Sequence, residues 1–225
     1  MKSKFIILLL ILPLNFLIGQ NSQGNISNSI AKLQNIINEV NLEKIEQSGE
    51  IDGSIYFFKT PNDANIRLVN SNKPFRVKIN YNLRKEKFEF KSGEDYYSLS
   101  TEDIESIVFV DHSFIVYNSK FYELVTENDK FSVLKSHLIE AIEPKYQPGI
   151  EDKPNLRFRK ANMLHLVINN KISQVKSSKK SIISLFNKSE QKKVKSFIKS
   201  NKISVRDSKD LKLLFDKFKD QFVLN

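Results

Sequence analysis

Phe75-Arg76-Val77-Lys78-Ile79-Asn80-Tyr81 alternates apolar and polar side chains without a break. A period of two puts Phe75, Val77, Ile79 and Tyr81 on one face of an extended strand and Arg76, Lys78 and Asn80 on the other. The stretch therefore predicts an antiparallel strand with one face on a core and one in water. Outward from it, apolar and aromatic runs recur roughly every eight to twelve residues. They are Ile55 to Phe58, Ile66 to Val69, Lys87 to Phe90, Tyr96 to Leu99, Ser106 to Val110, Phe114 to Tyr117, Phe121 to Val125 and Phe131 to Leu138. Asp111-His112-Ser113, Asn118-Ser119 and Glu127-Asn128-Asp129 separate neighbouring runs with turn-forming side chains. Many short strands joined in this way predict an antiparallel β-sandwich or open barrel over residues 51–143.

Residues 144–155 hold Pro144, Pro148 and Pro154, which cannot continue a helix or a central strand, and read as an extended connection. Beyond it, Asn162 to Ile168 and Lys171 to Val175 flank Asn169-Asn170, a pair that tolerates the positive φ of a tight hairpin. Ser178 can cap a short helix through Phe186, Ser189 a second from Glu190 to Ser200, and Asp207 or Ser208 a third. Leu211, Leu214, Phe215, Phe218 and Phe222 make one apolar stripe on that third helix. The predicted fold is α+β: the sandwich or open barrel, followed over residues 156–225 by a small β-hairpin plus three-helix unit.

At the other end, Lys2 and Lys4 precede the apolar run Phe5 to Ile18, and polar chain resumes at Gln20. Residues 1–19 read as a secretory signal peptide, too short for the roughly 20 apolar residues of a spanning helix. The mature chain is then expected to have no transmembrane helix and to work in the periplasm, the outer envelope or outside the cell. Within residues 20–50, Ile26, Ile30, Leu33, Ile37 and Val40 recur at helical spacing and predict an amphipathic helix from Ser27 to Asn41, followed by a linker. Its polar positions are rich in Asn and Ser, which are weak helix formers.

Several of these landmarks carry a family likeness. Gly53-Ser54-Ile55-Tyr56-Phe57, the run Val77 to Phe90, Phe114-Ile115-Val116-Tyr117 and Ile198-Lys199-Ser200-Asn201-Lys202-Ile203 resemble a family of exported bacterial β-rich proteins with a basic helical C-terminal tail. That family has no established activity, so the resemblance implies a shared architecture and export. The chain differs from the family's usual pattern at Ile55, Asn80, Arg84 and the pair Glu86-Lys87.

The 225 residues carry 36 Lys and Arg against 26 Asp and Glu, a net of +10, and the excess is uneven. Residues 20–150 have a net charge of −4 and residues 151–225 one of +12. Lys outnumbers Arg 30 to 6 and Asn outnumbers Ala 22 to 4, the skew of a genome poor in G and C, which accounts for part of the basic balance. With no Cys there is no disulfide, thiolate metal site or Cys nucleophile. His112, His137 and His165 make no helical zinc pair, and the 6 Gly build no phosphate loop. No Ser stands in a nucleophile elbow. The search thus returns no catalytic constellation, no metal site and no cofactor.

Two patches remain. Lys179, Lys180, Lys192, Lys193, Lys195, Lys199 and Lys202 crowd onto the helical tail, where they would attract phosphate or carboxylate groups. Glu94, Asp95, Glu102 and Asp103 form an acidic patch beside Tyr96 and Tyr97. The expected function is an exported, non-catalytic cell-envelope binding or structural module, meeting a protein partner or an anionic polymer or lipid headgroup through the Lys-rich face. The alternative is a carboxylate-dependent hydrolase of envelope glycans, since paired carboxylates are all that many glycosidases need. Nucleic acid is not an expected partner, because the basic helices lack an Arg-rich recognition face.

Overall fold

The computed structural model describes residues 37–39, 51–71, 73–92, 95–150 and 152–222, which all fall in one compact unit. The strands are β1 (Ile37–Glu39), β2 (Ile51–Asp52), β3 (Asn62–Leu68), β4 (Phe75–Asn82), β5 (Lys87–Ser92), β6 (Asp95–Leu99), β7 (Ile104–Val108), β8 (Ser113–Tyr117), β9 (Lys120–Glu127), β10 (Ser132–Ile142), β11 (Leu156–Ile168) and β12 (Lys171–Val175). Three helices follow: α1 (Lys179–Ser184), α2 (Gln191–Ser200) and α3 (Ser208–Lys217), with a 3-10 turn at Lys219–Gln221. The fold is α+β.

The strands form one sheet in the order β1-β6-β5-β4-β3-β7-β8-β9-β10-β11-β12, with β2 pairing parallel to β11 and every other pair antiparallel. The sheet is open; closure into a barrel, or division into two packed sheets, is no part of this pairing. It nonetheless curls strongly. β5 and β8 stand four places apart in the order, about 19 Å in a flat sheet at ~4.8 Å per strand. The rings of Phe88 on β5 and Phe114 on β8 are 5.0 Å apart, as are Phe88 and Phe121 on β9. The curl is centred on β4, whose first half pairs β3 up to Ile79 and whose second half pairs β5 from Asn80.

The alternation of β4 holds through Ile79 and then fails, because Tyr81 and both Asn80 and Asn82 are buried. The segment from Ile55 to Phe58, expected as a strand, is a short irregular pairing along the edge of β4 beyond Ile79, where β3 no longer pairs. Phe57 N–H donates to the Tyr81 carbonyl, and the Asn80 amide donates to the Phe58 carbonyl while accepting from the Phe58 N–H. Asn80 is buried at no hydrogen-bond deficit because its side chain imitates a strand neighbour.

Two cores share the inner face of the curl. Tyr81, Phe88, Phe114 and Phe121, with Phe57, Phe58 and Phe109 from the loops, make an aromatic core. Val125, Phe131, Val133, Leu164 and Leu166 pack instead against Ile182, Phe186, Val194, Ile198, Leu211, Leu214, Phe215 and Phe222 of the helical tail. A bulge between Val133 and Leu134 gives β9 one extra residue, which lets both Val125 and Thr126 meet the helices; Thr126 Oγ1 donates to Asp216.

The hairpin at Asn169-Asn170 forms as expected, both residues at positive φ (50° and 58°). It belongs to the main sheet, since β11 pairs β10 without interruption from Ile142↔Arg157 to Ser132↔Val167. Ser178 caps α1 through the Ser181 N–H, and Asp207 caps α3 through the N–H groups of Lys209 and Asp210. The second cap falls differently: α2 begins at Gln191 with Glu190 at its cap position and no side-chain cap bond, so Ser189 does not serve. Of the helix expected from Ser27 to Asn41, Ile37–Glu39 are instead edge strand β1 on β6, with the rest outside the described residues. Extended pairing with β6 satisfies backbone groups that a run of weak helix formers holds poorly. Residues 1–19 lie outside the described residues. Among those described, no helix is long and apolar enough to cross a membrane.

Candidate functional site

The seven lysines expected at the surface are all exposed. On α2, Val194 and Ile198 face the core, and Lys192, Lys195 and Lys199 follow a 3,4 step along the solvent side. Lys193 lies round the helix from them and pairs with Glu190 at 3.0 Å. Lys179 and Lys180 open α1, and Lys202 stands just past α2 with φ of 53°. Of the acidic patch, Glu102 and Asp103 are described. Glu102 is exposed and Asp103 half-buried in the turn before β7, where the Asp103 carbonyl accepts from Val69 N–H. Glu94 and the side chain of Asp95 lie outside the described residues.

A cleft of about 230 Å³ opens on the inner face where the aromatic core meets the helical tail. Its walls include Phe57, His112, Glu123, Lys135, His137, Lys160, Arg206, Asp207 and Ser208. Strand periodicity places them: Glu123 follows Phe121 on the inward side of β9, Lys135 and His137 follow Val133 on β10, and Lys160 lies in register with Leu164 and Leu166 on β11. Glu123 and Lys135 are paired neighbours across the two strands.

Glu123 is the centre of this cluster, with its side chain 2% exposed. His112 Nδ1 lies 2.7 Å from one carboxylate oxygen and His137 Nε2 lies 2.6 Å from the other. Burial alone would raise the Glu123 pKa, but the bonds from His112 and His137 and the charge of Lys135 win and hold the carboxyl well below its usual range. Burial pushes His137 down against the pull of Glu123, with Lys135 and His112 adding to the fall. Burial likewise lowers Lys135, opposed by Glu123 and Asp207. Both imidazoles rest edge-on against the Phe57 ring, at 5.1 and 4.6 Å between centroids.

Lys135 Nζ donates to the Arg206 carbonyl at 2.6 Å and to Ser208 Oγ at 2.9 Å, and so ties the start of α3 to the sheet. A serine beside a desolvated lysine is the raw material of a nucleophile and base. Here the nearby helix N–H groups of Lys209 and Asp210, the donors an oxyanion would need, are already bound by Asp207. The pair therefore reads as a tether. Among the described residues no group of three or more His, Cys, Asp or Glu side chains is placed to hold a metal ion.

Sequence inspection of His112 and His137 one at a time missed this cluster. The signal present was a charged side chain at an inward strand position, Glu123 between Phe121 and Val125 and Lys135 between Val133 and His137, where an unpaired charge is costly. His165 is separate, on Ser136 Oγ at 2.9 Å and the Tyr122 ring. Compared with known proteins, the chain matches no family model, no curated protein and no solved structure.

Proposed function

We propose that this chain is an exported, non-catalytic module of the bacterial cell envelope that engages anionic envelope material through the Lys-rich face of its helices. The observation that carries the reading is the stripe Lys192, Lys195 and Lys199. All three are exposed on one side of a helix whose other side is anchored by Val194 and Ile198, and none has an ion pair with a described residue. A Lys-rich stripe held on a docked helix presents its charges together, whereas the same lysines on a loose tail would spread. Each ammonium near an anionic surface contributes about 1 kcal/mol. Three acting together give about 3 kcal/mol, roughly a hundredfold in affinity. The signal-peptide reading of residues 1–19 supplies the setting, in which lipid headgroups and acidic polysaccharide are the polyanions at hand.

Co-sedimentation of the chain from Gln20 onward with phosphatidylglycerol-containing vesicles tests this. Binding is expected at low salt, is lost at high salt and is absent on phosphatidylcholine alone, since contacts of this kind are screened within about 8 Å at physiological salt. The triple substitution Lys192→Gln, Lys195→Gln and Lys199→Gln should weaken it roughly a hundredfold with an unchanged circular dichroism spectrum. A triple variant that binds as the parent does would end the proposal.

A further inference from the structure

The cleft beside Glu123 carries a charge imbalance that the Lys-rich face does not explain. Three cations line it, Lys135, Lys160 and Arg206, against the two carboxylates Glu123 and Asp207. Glu123 is committed through both of its oxygens and Asp207 through one. Each Glu123 oxygen is bound by an imidazole, and Asp207 Oδ1 accepts from two N–H groups at the start of α3. On the other side of the ledger, Lys135 Nζ is spent on Arg206 and Ser208. Lys160 Nζ donates to the Phe57 carbonyl at 3.2 Å, and neither Lys160 nor Arg206 has an ion pair with a described residue. Lys160 is partly desolvated, and burial lowers its pKa with no carboxylate restoring it. Lys160 and Arg206 thus both line one concave site without an ion pair to a described residue, and the Phe57 ring packs on the two histidines of the same site.

We propose that this cleft binds a compact oxyanion, a phosphate group free or carried on a small sugar, between Lys160 and Arg206, with Lys135 contributing its charge from behind. The guanidinium supplies a planar two-donor fork and the ammonium a point charge, the pairing that suits phosphate oxygens. The volume sets the size, since about 230 Å³ lies below the roughly 300 Å³ at which sites for drug-sized ligands begin. Phe57 offers an apolar flank to a sugar ring. The site uses none of the stripe Lys192, Lys195 and Lys199, so the two proposals stand or fall separately.

Titration calorimetry of the chain from Gln20 onward with inorganic phosphate, glucose 6-phosphate and glucose is the test. Saturable binding of one or both phosphates and none of glucose is expected. Phosphate alone sufficing identifies the free ion as ligand, and a clear preference for glucose 6-phosphate identifies a phosphorylated sugar. Lys160→Gln and Arg206→Gln should each weaken binding about tenfold, the usual consequence of losing a charge-assisted hydrogen bond. Both side chains are at the surface, so unfolding midpoints should stay at the parent value. Chemical-shift changes on titration should appear at His112 and His137. The proposal is overturned if neither phosphate binds saturably, or if binding is unchanged in both cleft variants while the Lys192, Lys195 and Lys199 variant loses it.

Discussion

Glu123 shows how one residue sets conditions for its neighbours. Its ionised carboxylate satisfies two imidazoles and offsets the buried Lys135, and its removal leaves Asp207 alone to offset that ammonium. The pH dependence follows with a definite sign. His137 has its folded pKa below the ordinary value of 6.5, so the unfolded chain takes up that proton first and stability falls as pH drops through about 6.5. Glu123 has its folded pKa below 4.5, so its contribution is present above that value and is lost as pH falls further toward the folded pKa. Urea midpoints measured from pH 8 to 3.5 should therefore decline in two stages. Glu123→Gln should remove most of the lower stage and cost about 3 kcal/mol at pH 7, the scale of breaking a buried pair. A parent profile flat across both windows would contradict the coupling.

Element by element, the helices are held by different means. α3 has its cap, Asp207, with two backbone N–H bonds, and a carboxylate at its positive end. α2 has no side-chain cap and depends on Val194 and Ile198, both buried. Asp207→Ala should then cost about 1 kcal/mol, while Ser189→Ala should cost almost nothing. Chemical denaturation of the two variants distinguishes a working cap from a residue that only stands near a helix start. The hairpin at Asn169-Asn170 shows local chemistry at its most legible, because two consecutive residues at positive φ leave little choice beyond Asn and Gly. The turn at Asn118-Ser119, at φ of 48° and 58°, departs from that preference by placing a Ser at its second position.

Across the whole molecule, the helical tail closes the core of the sheet. Val125, Phe131, Val133, Leu164 and Leu166 would face water without it. Sheet and helices should melt in one transition, with far-ultraviolet and aromatic near-ultraviolet signals superimposing. Leu214→Ala, which empties a site with 0% exposure, should lower both signals' midpoints together by about 3 kcal/mol in stability. Separate transitions would show that the tail folds by itself. The sequence by itself determined most of the strand positions between Asn62 and Val175, though not the first half of β11, together with the Asn-Asn turn, the cap at Ser178 and a cap for α3 at Asp207 or Ser208. All of these rest on periods, φ preferences and side-chain hydrogen bonds that operate within a few residues. Only the tertiary structure decided that β4 changes partners at Ile79, that Ile37–Glu39 is an edge strand and that the hairpin joins the main sheet. It alone brought His112, Glu123, Lys135, His137, Lys160 and Arg206 to one cleft. Those outcomes depend on which distant strand lies alongside, and a strand's own alternation fixes which side chains point inward without fixing what they meet there.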